Sequence, residues 1–283
     1  MTFVLGENRY GKSRVRVMRV EREDGRHRIQ EWDVEVWLKG DFRSCFEDGD
    51  NSRILPTDTM KNTVYYVARL SKAADIEGFA TEIVTYLIEN NPQVDEAGAI
   101  VAATLWGALV GGGQRHNTAF IQAGSTRETA TATLRRGRIA TVASGFKDLA
   151  ILKTAKSGFA GYIRDKLTTL KETHDRLLGT LAAGEWKYNE RFADYRNARR
   201  RAMDALLQTF ATHDSLSVQQ TLYAMGKAAL EAEPGITEIH LSMPNKHCNL
   251  VDLSPFGLDN PNHIFVPTDE PHGSIEAYVR RAS

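Results

Sequence analysis

An α+β fold, built from antiparallel strands and consecutive helices and made twice in tandem, is the class this sequence predicts. Three observations predict it. Apolar and polar residues alternate in paired stretches joined by short turns, as between Val15 and Leu38. Two stretches with three- and four-residue apolar spacing follow each other with no strand between them. The order strand, strand, helix, helix, strand, strand then occurs twice, with its joint near Arg135 to Arg138, giving units 1–136 and 137–283. Hairpin-paired strands and neighbouring helices disfavour a doubly wound parallel sheet. The halves share this order without evident sequence identity.

The first strand follows Gly11 and Lys12, where Val15 and Val17 alternate with Arg14 and Arg16. Asp24 and Gly25 form a turn. In the second strand Trp32, Val34, Val36 and Leu38 alternate with Glu31, Asp33 and Glu35, so the two make a hairpin. Asp41 to Arg53 reads as loop. Thr57, Asp58 and Thr59 are capping residues ahead of a helix through Tyr65 and Val67. A second helix carries Ile76, Phe79, Ala80, Ile83, Val84, Leu87 and Ile88 on one face and ends at Asn90, Asn91 and Pro92. Ala99 to Leu109 and Glu128 to Leu134 close the first unit as another hairpin.

The second unit opens with a strand around Leu149, Ile151 and Leu152, beside which Leu177 to Tyr188 returns. Tyr195, Ala198, Ala202, Ala205 and Leu206 mark a long helix. Ser217 with Gln220 is a capping box opening the next helix, whose apolar face holds Val218, Leu222, Met225 and Ala229. Ile239, Leu241 and Met243 alternate with His240 and Ser242 as a strand. Pro244 lacks an amide hydrogen, so Asn245 to His247 are expected where regular pairing stops. Ile275, Ala277 and Val279 form the last strand.

Composition excludes several classes. Thirty-six basic residues balance 36 acidic ones, with a pI near 7.1, so a polyanionic partner must be argued from a local patch. Cys45 and Cys248 are too few for a disulfide framework or a four-cysteine zinc site. No signal peptide is visible behind Met1, because Gly6, Glu7, Asn8 and Arg9 interrupt any apolar run. The longest apolar stretch, Ala97 to Gly113, contains five glycines and is short for a membrane span.

Polar side chains gather at four element ends: Tyr10 to Lys12, Pro56 to Thr59, Ser217 to Gln219, and Pro244 to His247. In the last group an amide, an ammonium and an imidazole together can orient a small ligand and move protons near neutral pH. Phe159 and Arg176 lie in a further stretch of small residues and turn signals. Each has an ordinary structural reading. Lys12 reads equally as a strand-edge charge, Thr57 and Asp58 as a helix cap, Phe159 as core, Arg176 as a surface ion pair and Gln219 as an exposed helix residue.

Taken together they resemble urate oxidase, the cofactor-free uricase family. The matching stretches are Tyr-Gly-Lys at Tyr10 to Lys12, Thr-Asp-Thr-Met-Lys-Asn-Thr at Thr57 to Thr63, Leu-Lys-Thr with Ser-Gly-Phe from Leu152 to Phe159, Leu-Lys-Glu-Thr-His-Asp-Arg at Leu170 to Arg176, Ser-Val-Gln at Ser217 to Gln219, and Pro-Asn-Lys-His at Pro244 to His247. They occur in family order along nearly the whole chain. The resemblance implies two tandem ββααββ tunnelling-fold (T-fold) units, a homotetramer in which the sheets close a barrel, and active sites at subunit interfaces. Lys12, Thr57 and Asp58 would come from one subunit; Phe159, Arg176, Val218, Gln219, Asn245 and His247 would come from its neighbour.

It also implies roles. Urate is a flat purine anion; Arg176 would bind one edge in bidentate fashion, Gln219 the opposite edge, and Phe159 its face. Backbone amides of Asp58 and Val218 would complete the rim. Lys12, Thr57 and His247 would relay protons, while Asn245 with Thr57 would hold dioxygen above the ring. No metal or flavin is expected, and the products would be 5-hydroxyisourate and hydrogen peroxide. The segment from Ala97 to Thr126 matches the family pattern loosely and takes no roles. The ending Arg281, Ala282, Ser283, in place of the Ser-Lys-Leu tail of eukaryotic members, suggests a cytoplasmic enzyme.

Two rivals belong to other classes. A pterin- or GTP-directed enzyme of the same fold would need zinc ligands, drawn from His240, His247, Cys248 and His263, whose spacing fits no familiar pattern. A nucleic-acid-binding module would use Arg196, Arg199, Arg200 and Arg201, but Asp194 and Asp204 flank that run. Neither nucleic acid nor membrane is expected as a partner.

Overall fold

The computed structural model describes residues 2–282, with the side chain of Asp269 outside that description. It divides into two compact units, Met1–Gly145 with Glu190–Tyr195, and Phe146–Asn189 with Arg196–Ser283. Among the described residues no helix is long and apolar enough to cross a membrane.

In the first unit β1 (Tyr10–Glu23) and β2 (Arg26–Lys39) pair antiparallel. Asp24 and Gly25 join them at φ 45° and 72°, the left-handed pair that matches the twist of a two-residue hairpin. The loop expected after β2 holds a short helix, α1 (Arg43–Asp48), which ends at the left-handed Gly49. Next come α2 (Thr57–Leu70) and α3 (Ile76–Asn90), then β3 (Glu96–Gly111) and β4 (Gln114–Arg135), in the sheet order β1-β2-β3-β4.

Gly112 and Gly113, at φ 59° and 75°, turn the second hairpin. β4 starts at Gln114 rather than Glu128. Its outer half pairs with β3 but is mostly exposed on both faces, so it carries no period-two signature.

The core of this unit lies between sheet and helices. Trp32, Val34, Val36 and Leu38 face Met60, Val64, Phe79, Ile83 and Leu87, with Trp32 stacked on Phe79 at 4.3 Å between centroids. Small Ala97, Ala99, Ala130 and Ala132 supply the buried face of β3 and β4, which lets α3 lie close to the sheet.

The second unit contains most of β5 (Thr141–Lys153), β6 (Leu178–Tyr188), all but the first residue of α4 (Tyr195–Thr212), α5 (Val218–Ala232), β7 (Ile236–Ser242), β8 (Asn245–Leu250), β9 (Phe265–Gly273) and β10 (Glu276–Arg280). β5, β6, β7 and β10 lie side by side in that order. Phe146, Leu178, Ala182, Trp186, Ile239 and Leu241 meet Ala202, Leu206, Leu222, Met225 and Ala229. At Gly226 a Cβ would come within 2.7 Å of Val279, so α5 approaches β10 as closely as glycine allows.

The expectation for Asn245 to His247 is corrected here. Strand pairing lapses at Met243 and Pro244, as expected, but resumes at Asn245 in place of ending there. Ser242 faces Ala183 and Asn245 faces Thr180, three residues apart on both strands, so β7 and β8 run along β6 in one unbroken register. Proline removes a donor at a single position while the chain stays extended. β8 also pairs with β9, which the sequence did not announce.

Candidate functional site

Each unit carries a group of the residues singled out above. In the first, Lys12 sits on β1 opposite Val36, and Val15 is the next paired residue, opposite Val34. Ser13 and Arg14 therefore bulge out of the ladder, with Arg14 at φ 58°. A bulge of this kind bends the strand and re-aims neighbouring side chains. Gly11 is required just before it, because a Cβ there would lie 2.0 Å from the Val36 carbonyl oxygen.

Thr57 and Asp58 open α2 and are exposed. They are inside the helix rather than ahead of it: Pro56 is the N-cap and no side chain caps the end. The first helical bond runs from the Met60 amide to the Pro56 carbonyl at 3.1 Å, which leaves the amides of Thr57 to Thr59 outside the helix ladder. The Asp58 carboxylate is occupied by Lys61 and by Asn62 Nδ2, the latter at 3.1 Å. Lys61, with a smaller contribution from Lys12, holds its pKa below the usual carboxylate range. What Asp58 offers a ligand is its backbone amide.

One hydrogen bond ties this group together. The Leu55 amide donates to the Tyr10 hydroxyl at 2.8 Å, while the Tyr10 ring packs edge-on against Phe42 at 5.0 Å. Tyr10 lies two residues before Lys12 and Leu55 two before Thr57. The hydroxyl thus fixes the start of α2 against β1. Tyr10→Phe is expected to cost about 1–2 kcal/mol in thermal or denaturant unfolding and to lower turnover more than that loss explains, by loosening Thr57 relative to Lys12. Wild-type turnover in this variant would show that the tether is structural only.

In the second unit the segment bearing Phe159 and Arg176 is held by backbone bonds. Phe159 and Thr173 exchange bonds of 2.7 and 3.1 Å, the Arg176 amide donates to Ser157 O at 3.0 Å, and the Gly158 amide donates to Ser215 O at 2.8 Å. Ser215 is two residues ahead of Ser217, whose hydroxyl caps α5 by accepting from the Gln220 amide at 3.1 Å. The Gln220 side chain accepts from the Leu216 amide at 2.9 Å, one residue earlier than a standard capping box. Phe159, Arg176 and the start of α5 therefore share one framework. Lys153 secures the end of α4, donating to the Phe210 carbonyl at 3.3 Å and to that of His213.

The Arg176 guanidinium lies 5.4 Å from the Phe159 ring centroid. Burial lowers its pKa, and its Nε is buried with no hydrogen-bond partner among the described residues. A cation that has lost part of its hydration and keeps an unused donor favours a planar anion. Phe159 stacks on Tyr162 at 4.9 Å. Val218 is buried at the first position of α5, where its amide lies outside the helix ladder, and Gln219 beside it is exposed.

On β8 Asn245 is 9% exposed and His247 is exposed. They lie two residues apart on β8, with a register shift against β9 between them. Thr180, across from Asn245, was not singled out from the sequence, although it is the lone polar residue between Leu178 and Ala183; its hydroxyl is buried without a partner.

Among the described residues no three His, Cys, Asp or Glu side chains are grouped to hold a metal ion. The basic run on α4 is broken up, since Arg199 is buried over Trp186 and Arg201 pairs with Glu233.

The comparisons with known proteins agree with one another. The model of the family "Uricase" matches residues 8–133 and 142–276. The chain is 42% identical to the uricase of Arthrobacter globiformis over 98% of this chain and 90% of that protein, and 34% identical to that of Dictyostelium discoideum over 98% of both. The crystal structure of the Arthrobacter globiformis uricase superposes with a TM-score of 0.94 at 40% identity, covering 99% of this chain and 96% of that one. A uricase structure from Bacillus fastidious gives 0.85 at 25% identity, covering 98% and 94%.

Proposed function

The chain belongs to the uricase family, and from that premise we propose how its two groups of residues carry out the oxidation of urate. The enzyme is a urate oxidase of the T-fold class. In the overall reaction urate, dioxygen and water give 5-hydroxyisourate and hydrogen peroxide. Two electrons leave the purine, dioxygen takes them up with two protons, and the oxygen of water remains on the ring.

Arg176 binds one edge of the urate anion through two N–H groups, Gln219 pairs with the opposite edge, and the amides of Val218 and Asp58 complete the rim. Phe159 covers a face, an aromatic contact of about 0.5–1.5 kcal/mol beyond burial. The single observation that carries this assignment is the buried, unpartnered Nε of Arg176 beside the Phe159 ring. Lys12, Thr57 and His247 move the protons, with the Thr57 hydroxyl both accepting and donating. Asn245 and Thr57 hold dioxygen, and afterwards water, over the ring.

The first group belongs to one chain and the second to a neighbouring copy, so that a homotetramer with its sheets closed into a barrel is the active form. This division is supported by the exposed positions of Thr57 and Asp58 at the start of α2 and by the separate compact units that hold the two groups. The repeat joint at 136/137 is supported by the left-handed Gly137 and by the gap between the two matched segments of the family model, while the compact units divide a few residues later, at Gly145/Phe146.

Purified, metal-stripped protein in air is expected to bleach urate absorbance with consumption of one dioxygen per urate, and to do so in the presence of a strong chelator. Activity abolished by the chelator and restored by a metal ion would overturn the cofactor-free reading.

A further inference from the structure

We propose that Thr180 is a positioning residue for the oxygen site, setting the orientation of the Asn245 carboxamide. This rests on the reading of Asn245 given above. Along β6 the core-facing residues are Leu178, Thr180 and Ala182, all buried, and Leu178 and Ala182 belong to the apolar cluster. Thr180 is 2% exposed, and its Oγ1 has no partner among the described residues.

Valine has the same shape and would remove that unsatisfied hydroxyl. A buried hydroxyl left unpaired is retained against a stability cost only where something uses it.

The group opposite supplies the use. Thr180 and Asn245 are direct cross-strand partners, so their side chains share a face with Cβ atoms about 4.5–5.5 Å apart. On its other side Asn245 is paired with Gly273, where an added Cβ would lie 3.7 Å from that of Asn245, so glycine leaves the amide room to turn. With dioxygen or water in the site, the Thr180 hydroxyl turns to donate to Asn245 Oδ1, a bond not made in this structure, and so directs the amide NH2, with its two donors, toward the bound molecule. Without that bond the amide is free to present either end.

Steady-state kinetics with dioxygen and urate varied independently test this in Thr180→Val, Thr180→Ser, Asn245→Ala and the Thr180→Val/Asn245→Ala pair. Thr180→Val is expected to raise KM for dioxygen about tenfold, the effect of one lost hydrogen bond, with KM for urate within about twofold of wild type. Its melting temperature should be equal or higher. Thr180→Ser should restore the dioxygen KM, and Thr180→Val should add nothing in the Asn245→Ala background.

A wild-type dioxygen KM in Thr180→Val overturns the proposal, as does an equal increase in both backgrounds. A wild-type dioxygen dependence in Asn245→Ala overturns the reading of Asn245 and this proposal together. Failure of Thr180 alone leaves Asn245 standing.

Discussion

Lys12→Met is expected to lower kcat by about 10²- to 10⁴-fold, the range for removal of a positioned proton-transfer group, with little change in KM for urate. Methionine reproduces the length of the lysine stem and keeps the backbone amide, so the pairing of Lys12 with Val36 survives. Size-exclusion chromatography should give an unchanged assembly. Thr57→Ala is expected to lose turnover in the same way, since its hydroxyl caps nothing in α2 and its removal leaves the helix start intact. If both variants turn over at the wild-type rate, the relay is not built from these residues.

Arg176→Ala is expected to act on binding. Two charge-assisted hydrogen bonds are worth about 1.5–3 kcal/mol each, so KM for urate should rise by about 10²-fold or more. Lysine at this position should not restore it, because a point charge cannot grip a planar edge with two parallel donors. Stability should move the other way or not at all. The guanidinium is half-buried with an unpaired Nε, and removing it relieves that desolvation. A variant that binds urate with wild-type KM but melts earlier would make Arg176 a structural residue.

Much of the fold was legible because burial leaves periodic traces. Trp32 to Leu38 and Ile239 to Met243 alternate because one face of each strand is buried, and Ile76 to Ile88 cluster on one helical face. Where burial is missing, so is the trace. The exposed half of β4 and the short, unburied α1 could not be read. Pro244 marks a true interruption of pairing, but nothing in the sequence shows that pairing resumes at Asn245.

The site was legible only as an ordered set of short stretches. No spacing rule brings Lys12 to Thr57; that depends on a tyrosine hydroxyl reaching an amide 45 residues away. Thr180 gave a faint signal, one hydroxyl in an apolar run, that gains meaning only when its cross-strand partner is known.

The unbroken register across Pro244 has a further result for how this protein tolerates change. Asn245 and His247 ride on the same rail as Leu241 and Met243, so the hydrophobic residues upstream decide which way the polar ones point. Inserting or deleting a single residue at Pro244 would rotate both toward the opposite side of the sheet, silencing chemistry while α4, α5 and β10 stay seated. Evolution at this junction can exchange side chains but cannot change the count.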